Sequence, residues 1–347
     1  MNQRTKYMDK YGSTVLTWIG IQPVILSRDP KIAEDVLTSP QCLHRTSRVT
    51  KAIGSVLGPG LLSLKGTSWI KRRKLLNASF KQNVLLSFIS IFNAESRRLV
   101  SQIDSDIINY KLNHTEDLSH SVITRVMELY RNGEISFEEM RGECCNIIQA
   151  ATDTTVATVN HTLILLAMFP QYQDIVFEEL KYVFPAGEDF EVEYADLQKL
   201  EYLDRVLKET LRLIPSITTI VRELNEDFRL SNNVLVPKGV ACMVDIFHIH
   251  RNKDYWGPNA ESFNPDNFLG DNVRKRHPFA YIPFSKGKRN CIGWNYALLS
   301  SKIALARILR NYKISTTFRY EDLVFVDGVV IKLSKSPPLR FQRRTSK

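Results

Sequence analysis

One cysteine among five stands where its neighbours could make it reactive. Cys291 sits near the end of the stretch Phe284-x-x-Gly287-x-Arg289-x-Cys291-x-Gly293, just before an amphipathic run from Trp294 to Asn311. Gly287 permits a turn at φ > 0, Gly293 lets the backbone approach the sulfur, and Phe284 can shield it from solvent. Open amides and the positive end of the following helix would then favour thiolate over thiol. Arg289 adds a fixed guanidinium suited to a carboxylate. A sheltered thiolate beside such an arginine suits axial ligation of haem, which offers both an open iron and propionates. A lone cysteine before a helix is otherwise a packing residue.

With all five positions filled, this stretch resembles the haem-binding signature of the cytochrome P-450 superfamily, and three further motifs lie upstream in the order that resemblance implies. Trp69-Ile-Lys-Arg-Arg73 puts an indole and a guanidinium four apart on one helical face. By itself this reads as a basic surface helix; the resemblance implies that Trp69 and Arg73, with Arg222 and Arg289, hold the haem propionates. In Ala150-Ala-Thr-Asp-Thr-Thr155, small side chains at Ala151, Thr154 or Thr155, Thr158 and Thr162 share one face and would let a flat macrocycle approach. A bond from Thr154 back to the Ala150 carbonyl would widen the helix there. The resemblance implies Asp153 and Thr154 as the acid–alcohol pair that delivers protons. Ala151 stands where the family usually has glycine, and no glutamate at position 150 prepares a covalent haem link.

Glu209-Thr-Leu-Arg212 sets a carboxylate and a guanidinium side by side at i,i+3. On a surface such a pair is worth about 0–1 kcal/mol; the resemblance implies a buried structural pair that locks the cysteine loop. A second arginine usually completes it, but Phe263-Asn-Pro-Asp-Asn267-Phe268 offers Asn267, which can bridge by hydrogen bonds without bringing charge. His248 and His250 alternate without a third ligand at suitable spacing, so they do not read as a metal site.

Composition narrows the class. The 347 residues are 44% apolar, enough for a sizeable core, and 47 basic against 37 acidic residues leave a net charge of +10. The basic residues are scattered in short clusters, which argues against nucleic-acid binding. Five cysteines without a CxxC pair fit a reducing compartment and no disulfide framework. No stretch reaches the roughly 18–20 apolar residues that cross a bilayer, and the first residues are not a signal peptide. Microsomal members of the superfamily begin with an anchor that this chain, as written, does not show.

Elements that would position these groups follow from pattern. Thr14 to Gly20 and Val24 to Ser27 read as strands, and Asp29-Pro30 opens a helix to about Leu37. Thr67 or Ser68 should cap the helix that carries Trp69, and helical spacing runs from Asn83 to Tyr110. Ser136-Phe-Glu-Glu139 is a capping box for a long helix to about Met168, and Leu200 to Leu213 is the next strong helix. Strands are expected at Asp227 to Leu230, Val234 to Val236, Val240 to Ile246, Tyr312 to Thr316 and Val329 to Leu333. Full-length members place several helices, including the pair over the substrate entrance, where this chain has only residues 114 to 126. An internal deletion near Asp117 to Ile123 is expected.

The expectation is one mainly α (α+β) domain over residues 1–347, shortened internally, nearest the insect family-four clan. The resemblance implies a monooxygenase with haem b that inserts one atom of dioxygen into an apolar substrate: a fatty acid, a hormone-like lipid or a xenobiotic. Electrons would come from NADPH through a partner reductase, with cytochrome b5 as a second partner, at the cytosolic face of the endoplasmic reticulum with peripheral membrane contact. The alternative is a haem-binding but catalytically inactive shortened isoform. A haem-thiolate isomerase or dehydratase is disfavoured, since it has no need of the Asp153–Thr154 pair.

Overall fold

The computed structural model describes residues 2–104, 122–185 and 190–344. A polar helix α1 (Asn2–Tyr11) leads into the hairpin β1 (Thr14–Ile19) and β2 (Gln22–Ser27), followed by α2 (Pro30–Thr38), α3 (Ser47–Leu57) and α4 (Gly66–Asn77). Next come α5 (Gln82–Ser87), α6 (Ile89–Asp104), α7 (Val122–Arg131) and the long α8 (Phe137–Met168). Then follow α9 (Pro170–Val183), α10 (Tyr194–Lys199), α11 (Glu201–Leu213), β3 (Thr219–Glu223), β4 (Phe228–Arg229), β5 (Leu235–Val236) and β6 (Ala241–Asp245). After a stretch of single helical turns, α12 (Trp294–Asn311) and strands β7 (Tyr312–Ser315), β8 (Phe325–Val326), β9 (Lys332–Leu333) and β10 (Arg340–Arg343) end the chain.

Helices dominate, and one mixed sheet in the order β1-β2-β6-β3 stands at their edge. Its parallel β2–β6 contact joins residues far apart in sequence, Val24 opposite Ala241, so most helices lie within that crossover. The main core gathers α6, the second half of α8, α9, α11 and α12 around residues such as Phe92, Leu165, Val206 and Leu305. α8 has two characters. Every residue from His161 to Ala167 is buried, while Ile148, Thr152, Asp153 and Val156 in its middle are exposed. Its last turns are therefore core, and its middle faces an opening.

Capping chemistry sets several ends as the sequence suggests. Asp29 accepts the Lys31 N–H at 2.9 Å with Pro30 in the first turn, and Ser136 with Glu139 forms the reciprocal box that starts α8. Two expectations need correction. α4 begins at Gly66 after Lys65 with no side-chain cap, so neither Thr67 nor Ser68 caps it. The helix expected from Asn83 breaks at Phe88, whose ring turns into the core against Phe92 and Tyr296; its stretch past Asp104 lies outside the described residues. So does most of the expected deletion point, residues 117–121.

α1, β3 and β10 had no periodicity strong enough to read. α1 is held by partners distant in sequence: buried Met8, an Arg4–Asp245 ion pair at 3.3 Å, and Thr5 Oγ1 2.7 Å from His248 Nε2. Among the described residues no single helix is long and apolar enough to cross a membrane.

Candidate active site

The cysteine loop is built by a buried polar chain that starts on α11. Glu209 and Arg212 are fully buried, and their side chains meet in a fork of two bonds, each 2.7 Å. Arg212 also donates to the carbonyls of His250, Ala260 and Ser262, and Glu209 Oε1 accepts from Asn264 N and Asn267 Nδ2. Asn267 thus bridges without charge. The second cation comes from a residue that sequence reasoning passed over. Arg276 donates to the Asn267 carbonyl and stacks 4.0 Å over the Trp256 ring, whose centroid is 4.8 Å from the Arg212 guanidinium. No motif spacing links position 276 to 212; only folding brings them together.

From this lock the chain reaches the loop through one imidazole. His250 Nδ1 faces the Arg212 carbonyl at 3.1 Å, and His250 Nε2 accepts the Ile282 N–H at 2.8 Å, two residues before Phe284. Burial pushes His250 down to about 3, which keeps the ring neutral and able to accept. The loop then turns tightly, with Ser285 (φ 61) and Gly287 (φ 73) both left-handed, and the Cys291 N–H donates to the Phe284 carbonyl at 2.9 Å. Gly287 is there for space as well as φ, because a Cβ on it would lie 1.9 Å from the Leu37 carbonyl oxygen. Gly287→Ala should therefore cost about 1–3 kcal/mol in backbone strain alone and push the loop off α2. Haem retained per chain and melting temperature should both fall; unchanged values would show that the loop has slack.

The other end of the loop is gripped from α4. Arg73 donates to both the Asn290 carbonyl and Asn290 Oδ1 at 2.8 Å, and its Nε goes to Asn77. The resemblance implies Arg73 as a propionate ligand. Its fork is spent on the residue before Cys291. Burial raises the Cys291 thiol, against opposing pulls from the Gly293 N–H and the Arg73 guanidinium. The expectation that the loop by itself makes a thiolate is thus corrected: a single amide and one cation do not offset desolvation. Cys291 as a residue is nonetheless exposed.

Around Arg289 of the same loop lies a cluster of arginines. Arg289 is 7% exposed, stacks 3.8 Å over buried Trp69, and donates by Nη2 to the Leu64 carbonyl, while its Nε and Nη1 have no partner. Its charged neighbours are Arg45, Arg222 and Arg73, and with burial they bring it down to about 9. Arg222 is equally buried, is likewise lowered to about 9, and donates to its neighbour's carbonyl at Val221. Arg45 joins them, donating to Leu62 O. It was missed because a single arginine in Leu-His-Arg-Thr carries no spacing signal. Buried guanidiniums with idle donors and mutual repulsion fit an anion with two carboxylates, as a haem presents, beside a thiol that can ligate its iron.

The middle of α8 supplies the remaining groups. Thr154 Oγ1 donates to the Ala150 carbonyl at 2.8 Å, as its spacing suggested, and Thr158 and Thr162 repeat the bond one and two turns on. Asp153 is exposed and accepts from Gln149, and Ala151 is half-buried on the same turn. Ile292, next to Cys291, and Cys144 and Ile147 of α8 pack against one buried cluster of Leu76, Val126, Leu129 and Ile135.

Comparison with known proteins agrees. The cytochrome P450 family profile matches residues 1–130 and 109–335, nearly the whole chain. A Drosophila melanogaster protein named probable cytochrome P450 313a3 is 46% identical over 438 residues, covering 99% of this chain and 89% of its own. Probable cytochrome P450 313a2 from the same organism is 44% identical over the same span, and cytochrome P450 4c3 is 27% identical over 91% of this chain. The chain thus belongs to the cytochrome P450 family of haem monooxygenases.

Proposed function

We propose that this chain ligates haem b through Cys291 and oxygenates an apolar small molecule, with electrons from NADPH through a separate reductase and from cytochrome b5. The observation that carries this reading is an exposed cysteine two residues from a buried arginine, Arg289, whose donors Nε and Nη1 are idle. Arg289, Arg222 and Arg45 hold the propionates, with Trp69 as the platform under Arg289, while Arg73 fixes Asn290 and so Cys291. When bound, the haem supplies the oxidising chemistry, and a thiolate ligand pushes electron density toward it. Asp153 and Thr154 move protons from solvent toward the distal side, Thr154 from a hydroxyl held at the Ala150 carbonyl. Glu209, Arg212 and Asn267 are structural. By family analogy the setting is the cytosolic face of the endoplasmic reticulum.

A second reading, a haem-binding but inactive shortened isoform, has its own support. The alignment to 313a3 is longer than the chain, and the family profile matches as two stretches that meet at residues 109–130. Asp153 and its neighbours on α8 are exposed, so the distal side lacks the exclusion of water that oxygenation uses. Reduced protein under carbon monoxide should show the far red-shifted Soret band of thiolate ligation in both readings. Product formed per NADPH consumed separates them, since an inactive isoform consumes NADPH without product.

The arginine cluster makes a further expectation of opposite signs. Arg289→Met keeps the stack on Trp69 but removes a buried, unpaired charge, so the haem-free chain should gain about 1–4 kcal/mol. Haem dissociation should meanwhile become faster, because a propionate loses its donor. The sign in pH agrees. A cation whose folded value is about 9, well below its usual range, binds fewer protons folded than unfolded from about pH 9 up to that range. The stability of the haem-free chain should therefore rise with pH across that window and carry the full penalty below it. Chemical denaturation of haem-free protein, wild type against Arg289→Met, tests both; a destabilised variant would mean the cluster is already neutralised.

A further inference from the structure

One hydroxyl outside every motif touches the helical turn that carries the acid–alcohol pair. Ser216, just past α11 and Pro215, is 7% exposed. Its Oγ lies 3.2 Å from the Thr154 carbonyl oxygen as donor and 3.1 Å from Thr158 Oγ1. The Thr158 hydroxyl donates to the same Thr154 carbonyl at 2.8 Å. That carbonyl therefore attracts two side-chain hydroxyls beyond its ordinary place in the helix ladder. Extra donors on a helix carbonyl weaken its i→i+4 bond and bend the helix locally. The bond weakened is the one from the Thr158 N–H, and the turn it loosens, 154 to 158, adjoins the one in which Thr154 Oγ1 reaches back to the Ala150 carbonyl.

We infer that Ser216 is a positioning residue for the Asp153–Thr154 pair, its hydroxyl holding the Thr154 carbonyl so that the helix stays opened where Thr154 presents its own hydroxyl. Ser216 is itself well fixed. Its carbonyl accepts the Ile331 N–H at 2.9 Å, and Arg251 Nη2 holds the Leu213 carbonyl at the end of α11. The segment that follows Ser216 runs directly into β3. The loop after α11 and the central helix thus communicate through one side chain.

The inference rests on the haem-thiolate reading, and the test keeps the two apart. The probe is carbon monoxide on the reduced full-length protein, with the infrared C–O stretch reporting the polarity of the distal side. Ser216→Ala should shift or split that band, as Thr154→Ala should, and Ser216→Thr should keep the wild-type band while Ser216→Val, isosteric with threonine, should not. Because Ser216 acts through Thr154, adding Ser216→Ala to Thr154→Ala should produce no further shift. A red-shifted Soret band in wild type with an unmoved C–O stretch in Ser216→Ala and Ser216→Val would overturn the role of Ser216 alone. An undiminished Ser216 effect in the Thr154→Ala background would do the same. Wild-type protein without the red-shifted Soret band would overturn the thiolate reading, and this inference with it.

Discussion

Arg212→Ala is expected to leave a chain that no longer holds its fold at ordinary temperature. Both members of the Glu209–Arg212 pair are 0% exposed, so solvent cannot compensate for the loss of either. The substitution strands an ionised carboxylate in the core and orphans three carbonyls, at His250, Ala260 and Ser262, in one step. Breaking a buried pair in this way costs about 3–5 kcal/mol, against a total stability of roughly 5–15 kcal/mol for a typical protein. Arg212→Lys should be nearly as harmful, because one ammonium cannot reproduce a fork aimed at a carboxylate and three carbonyls. The control lies on the same helix. Arg205 pairs with Asp266 at the surface, and Arg205→Ala should cost no more than about 1 kcal/mol. Soluble yield and the denaturation midpoint of the three variants settle the matter; an Arg212→Ala protein as stable as Arg205→Ala would mean that the buried network contributes little. Since His250 links this network to Ile282, partial unfolding should release haem before the helices melt.

The parts of this site that could be read from sequence are those set by short spacing. The capping box at Ser136, the bond from Thr154 to Ala150 and the pairing of Glu209 with Arg212 all join residues three or four apart, where a helix alone dictates contact. The parts that could not be read join residues dozens or hundreds of positions apart. Arg45 meets Arg289, Arg276 comes up beside Arg212 over the Trp256 ring, and Ser216 meets Thr154 across the loop after α11. The contact of Arg73 with Asn290, a residue of the loop it packs against, was equally out of reach of local spacing. β3 went unread because Thr219–Glu223 is half-polar and acquires its strand form by pairing with β6 on one side.

The correction at Cys291 leads to the second large effect. Burial outweighs the Gly293 amide and Arg73, so in the haem-free chain the thiol is raised above its usual value and stays protonated at neutral pH. Ligation of iron must then expel that proton, and the thiolate is a product of haem binding, not a prior property of the loop. Haem affinity should accordingly rise about tenfold per pH unit below the raised thiol value, and alkylation of Cys291 in haem-free protein should be slow at neutral pH. Cys291→Ala removes both the ligand and the titrating group. Any haem the arginines still retain should show no red-shifted band in the reduced carbon monoxide complex, and its affinity should lose that slope. A variant that kept the band would mean that another side chain ligates the iron. A wild-type affinity flat in pH would mean that the loop does stabilise the thiolate on its own, with the Gly293 amide and Arg73 exerting more pull than their burial permits.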